Sequence, residues 1–164
     1  MSDESLIPNK IVEGEYLYAQ AIDLILTKAQ RRILIFDQDL RRGDFSGAAR
    51  YEVLRNFLST YVASELHIIL HDADYFLQKC PRLNNLLRFY PHKMTVHVTD
   101  DSVKNFKSCF IVADEAHYIK RIHIDQARFK FAMDENIQNE ILRQQFLELQ
   151  AAAHEAISST TLGL

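Results

Sequence analysis

The sequence predicts an α/β domain in which one mixed β-sheet carries helices on both faces, a three-layer sandwich. Three observations lead there. Helical and strand periodicities alternate through the first hundred residues, apolar and β-branched runs then follow one another closely, and a long amphipathic segment closes the chain. The 164 residues, 48% of them hydrophobic and 25% charged, suit one hydrophobic core. A single domain over 1–164 is expected, with flexible ends at 1–12 and 157–164.

Ile22, Ile25, Leu26 and Ala29 share one helical face, so residues 14–30 are read as an amphipathic helix. RRILIFDQDL follows, apolar in its first half and acidic at its end, as a buried strand running out into a loop. RRGDFSG holds two glycines and is read as that loop. Leu54, Phe57, Leu58 and Tyr61 mark a second helix, and ELHIILHD a second strand. Residues 74–90 form a third helical region, with Leu83, Leu86, Leu87 and Tyr90 on one face and Pro81 tolerated because a first-turn N–H has no partner anyway. KMTVHVTD is a third strand by its β-branched alternation. SCFIVADEAHYIKRIHI reads as two strands about a tight turn at Asp114 and Glu115. In the closing helix Asp134 is the expected N-cap, and Leu142, Phe146, Leu149 and Ala153 are the buried stripe.

The N-terminal MSDESLIPNK has no basic region leading into an apolar one, and no apolar run is long enough to span a bilayer. A cytoplasmic protein without membrane contact is expected. Cys80 and Cys109 lack the CxxC spacing of a metal or redox pair and suit buried positions in a reducing compartment. A net charge of −3 argues against indiscriminate nucleic-acid binding, which needs a clustered excess of Lys and Arg.

If the first three strands are parallel, their C-terminal ends gather Asp37, Asp39, His71, Asp72, Asp100 and Asp101 along one edge, where open α/β sheets bind ligands. Lys107 is expected to turn toward that edge and pair with one of the carboxylates. Asp37, Asp72 and Asp100 could hold Mg²⁺ for a metal-assisted phosphodiesterase. The structural account is that acidic residues simply end strands and cap the helices that follow. His67 and His71 share a strand face but stand about 13 Å apart by strand rise, so they cannot share an ion. KRIHIDQARFKF interleaves Lys120, Arg121, Arg128 and Lys130 with Phe129 and Phe131, a pattern that can grip single-stranded nucleic acid or form an ordinary strand with solvated basic residues.

Taken with the element order, these segments resemble one half of a phospholipase D superfamily protein. SCFIVAD with its turn matches in shape the region around that superfamily's H-x-K-x4-D signature, and Asp114 falls on its aspartate. Lys107 then stands at the histidine position and Cys109 at the lysine position, so the signature is degenerate; the G-S-x-N stretch is replaced by KRIHIDQARF. The superfamily's histidine attacks phosphorus and its lysine neutralises the phosphoryl oxygens, and neither replacement supplies that chemistry. The resemblance therefore implies a bacterial, non-catalytic phospholipase D-like binding module without cofactor or metal. It further implies a homodimer, with Tyr118, Phe129 and Phe131 of the late hairpin as its surface. An acyltransferase is the protein partner the resemblance suggests.

Overall fold

In a computed structural model the structure describes residues 6–158. An eight-stranded sheet runs through them. Its first strand, β1 (Val12–Glu13), leads into α1 (Glu15–Lys28), and β2 (Arg32–Asp37) then crosses the middle of the sheet. α2 (Ala48–Thr60) returns the chain to β3 (Glu65–Leu70), and the short pair α3 (Asp74–Lys79) and α4 (Pro81–Phe89) returns it to β4 (Met94–Val98). β5 (Cys109–Ala113), β6 (His117–His123) and β7 (Gln126–Ala132) form a meander, followed by α5 (Asn136–Ala151) and β8 (Glu155–Ile157). The strand order is β1-β7-β6-β5-β2-β3-β4-β8. β2, β3 and β4 are parallel, with Ile35 opposite Ile68 and Ile68 opposite Val96, whereas β5 lies antiparallel to β2. The expected mixed sheet is therefore present.

Alternation along the strands sorts their side chains into two apolar layers. Ile33, Ile35, Ile68, Val96, Ile111, Ile119, Phe129 and Phe131 face α1 to α4. Leu34, Phe36, Ile69, Phe110, Val112 and Tyr118 face α5, which contributes Leu142, Phe146 and Leu149. Within the strands read from the sequence, Ile33, Ile35, Ile68, Leu70, Val96, Phe110 and Val112 are buried, while Val98 near the β8 edge is half-buried.

Several local expectations need correction. Residues 74–90 are two helices, because Cys80 leaves helical geometry ahead of Pro81, which disfavours it in the preceding residue. The N-cap of α5 is Glu135, whose carboxylate accepts from the Gln138 N–H at 2.8 Å; Asp134 sits one residue earlier in a left-handed conformation at φ 57°. Gln126–Ala132 is a further strand, and β1 and β8 extend the two edges. Val12 pairs with Phe129 and Ile157 with Val96, so these two residues of the proposed flexible ends are in strands. Residues 1–5 and 159–164 of those ends lie outside the described residues.

Candidate functional site

The C-terminal end of β2, the start of β5 and the far half of β6 bring three polar side chains onto the α1 face of the sheet: Asp37, Cys109 and Arg121. Each occupies the same alternation as its apolar neighbours Ile35, Ile111 and Ile119, so each points into the core. Arg121 is only 1% exposed. Its guanidinium donates to both carboxylate oxygens of Glu15, at 2.8 Å each, and to the Ile124 carbonyl at 2.9 Å. The Tyr18 ring lies 4.9 Å from its carbon, completing the enclosure. Arg42 approaches Glu15 from the β2–α2 loop at 3.7 Å.

Asp37 is less well served. Its carboxylate accepts from the Cys109 thiol at 3.4 Å and from the Asp39 amide at 3.4 Å, the second of these long for an N–H donor. Burial raises its pKa to about 6, the nearby Asp39 charge pushes the same way, and the Cys109 hydrogen bond offsets only part of the rise. Burial and then the Asp37 charge hold the Cys109 thiol well above its ordinary range, so it is a neutral S–H and a poor nucleophile. For Arg121, burial works against the cation, but the Glu15 carboxylate outweighs it and raises the pKa. Glu15 is lowered in turn, chiefly by its hydrogen bonds from Arg121.

A model of the family described as "Domain of unknown function (DUF7931)" matches residues 15–158. The chain belongs to this family. No curated protein matches the DUF7931 chain in sequence. Solved structures do match it in fold. NucT from Helicobacter pylori is 10% identical with a TM-score of 0.62, covering 89% of this chain and 97% of NucT. Nuc from Salmonella typhimurium, a phospholipase D family member, is 9% identical with a TM-score of 0.60 over the same shares. TrmBL2, an archaeal chromatin protein described as showing a novel mode of DNA binding, is 16% identical with a TM-score of 0.61; 89% of this chain is covered but only 53% of TrmBL2, so the chain spans about half its length. The DUF7931 chain thus has a phospholipase D-like fold.

Among the residues proposed for the strand-end site, most are occupied locally. His71 bonds Thr99 Oγ1 at 2.6 Å and the Phe106 carbonyl at 2.8 Å, and burial lowers its pKa. Asp72 accepts from the Asp74 N–H at the start of α3, and Asp100 from the Ser102 N–H in the 3₁₀ turn Asp101–Val103. Asp39 turns to Arg41 at 3.1 Å. The carboxylates therefore do not converge, and among the described residues no group of three His, Cys, Asp or Glu could hold a metal ion. Lys107 is exposed and forms no ion pair among the described residues; Lys104 takes the place expected for it, donating to the His71 carbonyl at 2.5 Å and the Thr99 carbonyl at 2.8 Å. Gln38 ties the same edge to β5 through the Phe106 and Ser108 carbonyls.

Asp114 lies at the other end of β2, where it accepts from the backbone N–H groups of Gln30, Arg31 and Arg32 at 2.8 to 3.0 Å. Phe129 and Phe131, at 0% and 1% exposure, are core residues and cannot stack on a base. Together with buried Tyr118 they also offer no surface to a second copy, because strand alternation turns each of them into an apolar layer. Arg121, read from the sequence as a solvated or nucleic-acid-gripping basic residue, is instead buried, and one signal was present: a charge at a strand position whose two-residue neighbour, Ile119, faces the core. Its partner Glu15, 106 residues away, had no local signal.

Proposed function

We propose that this chain is a non-catalytic binding module on a phospholipase D-like scaffold. The reading rests above all on Arg121: the buried cation at the strand ends already holds an internal carboxylate, Glu15, in a two-pronged clamp. Phosphoryl transfer of the histidine type needs an unprotonated imidazole in line with phosphorus and a cation free to take up charge on the phosphoryl oxygens. Here Cys109 offers a neutral thiol, Lys107 points to solvent, and Arg121 is neutralised before any substrate arrives. His117 and His123 are engaged in capping, accepting from the Asp134 and Asp125 amides at 3.2 and 3.1 Å. TrmBL2, a chromatin protein described by its DNA binding, is a fold neighbour whose described role is binding. Purified protein should leave bis(p-nitrophenyl) phosphate intact with and without Mg²⁺, and should trap no phosphohistidine. Turnover that survives purification and disappears in His117→Ala or His123→Ala would overturn the reading.

A further inference from the structure

The segment that interleaves basic and aromatic residues divides between the two faces of the sheet. Phe129 and Phe131 point into the α1 layer, so Arg128 and Lys130 alternate onto the opposite, α5 side. Arg121 likewise points inward, and Lys120 beside it outward. α5 begins near the Asp114 end of the sheet, packs on β2, β5 and β6, and ends where the Ala152 carbonyl meets the Asp100 amide at the opposite end. Among the described residues this diagonal course leaves the outer part of β6 and β7, with exposed Arg128 and Lys130, without a helix above it. There Lys120 stands directly opposite Lys130, and Arg128 lies two residues along the same strand.

Like charges directly opposed on neighbouring strands destabilise a sheet. Relief by local carboxylates is missing: among the described residues Lys120, Arg128 and Lys130 have neither an ion pair nor a side-chain hydrogen bond. Glu13 lies across from Arg128 in register without pairing with it, and Asp125 in the hairpin turn approaches His123 instead, at 3.9 Å. In a chain of net charge −3, three cations without an ion pair on one face of β6 and β7 are a local reversal of sign.

We infer that this face docks the phosphodiester backbone of duplex nucleic acid, through Lys120, Arg128 and Lys130. The inference rests on the reading of the chain as a binding module, and it needs no base stacking, which the buried phenylalanines exclude. Lys and Arg contacts to phosphate supply affinity without reading sequence, so an open sheet face carrying three cations can hold a duplex backbone without entering a groove.

Fluorescence anisotropy with a labelled mixed-sequence duplex tests it. At about 50 mM salt the dissociation constant should fall in the micromolar range, and three phosphate contacts should give a log–log salt slope of about −2.7. Lys120→Glu with Lys130→Glu should weaken binding at least tenfold. Lys120→Gln with Lys130→Gln should reduce the slope by about 1.8 without reversing the charge. Circular dichroism confirms that each variant is folded. No binding by the wild type, or binding that both double variants retain, overturns the inference. Equal or tighter sedimentation with phosphatidylserine-containing vesicles, lost in the same variants, assigns the face to a membrane surface and also overturns it. None of these results alters the outcome of the phosphodiester hydrolysis assay, which tests the binding-module reading separately.

Discussion

The two ends of β2 carry aspartates with opposite histories of solvation. At the N-terminal end Asp114 stays partly exposed and is matched to three backbone donors, so its charge is held where it is useful to the fold. At the C-terminal end Asp37 is buried with a thiol and one long amide contact, so its charge is held at a cost. The first joins the α1–β2 junction to the β5–β6 turn, a structural task that survives whatever happens at the other edge. The second lies on the same sheet face as Arg121, yet that cation belongs to Glu15. Asp114 therefore serves the scaffold.

The largest expected effect is at the ion pair. Glu15→Ala leaves the Arg121 charge buried against Tyr18 with two backbone carbonyls, and should lower the stability measured by urea unfolding by about 3 kcal/mol. Arg121→Met should cost less, about 1 to 2 kcal/mol, because half-exposed Glu15 can turn to water and Arg42. Equal losses would show that the cation is not the enclosed partner.

Next comes Asp37. Its folded pKa of about 6 lies above the ordinary 3.8, so folding favours the protonated form. The penalty is absent at pH values below the unfolded pKa, grows as pH rises between the two values, and is complete above about 6, where it amounts to about 3 kcal/mol. Asp37→Asn should therefore stabilise the protein at pH 8 and lose that advantage by about pH 4. A variant less stable than wild type at pH 8 would show that Asp37 is better solvated than its geometry implies.

At the opposite end, Asp114→Ala removes the acceptor shared by three N–H groups and places alanine at φ 55°, for an expected loss of about 2 kcal/mol in thermal unfolding. Asp114→Asn, which tolerates that backbone, should cost under about 1 kcal/mol. The smallest effect should be Cys109→Ala, about 1 kcal/mol for a buried cavity. It sharpens the comparison nonetheless: losing the thiol donor should move the Asp37 carboxyl titration, followed by NMR, further upward.

The legible parts of the fold were those whose physics is local. β2, β3 and β5 are apolar runs because both sheet faces are covered, and such runs announce buried strands. β1 and β8 comprise two and three residues and exist only by pairing with β7 and β4. β7 did show period two, since Arg128 and Lys130 alternate with Phe129 and Phe131, but the same letters also read as a nucleic-acid motif. At the candidate site the acids at strand ends were visible, and their use as caps by the Asp74 and Ser102 amides was one of two open accounts. The Arg121–Glu15 clamp was not legible, because tertiary packing joins its halves.

The central claim is that the strand-end cation is sealed by its own carboxylate. NMR observation of the Arg121 side-chain N–H signals during titration with inorganic phosphate tests this most directly. The account predicts that these signals stay unmoved through the millimolar range in the wild type. A saturable shift of Arg121, accompanied by loss of its contact with Glu15, would contradict it and reopen the edge as a phosphoryl site.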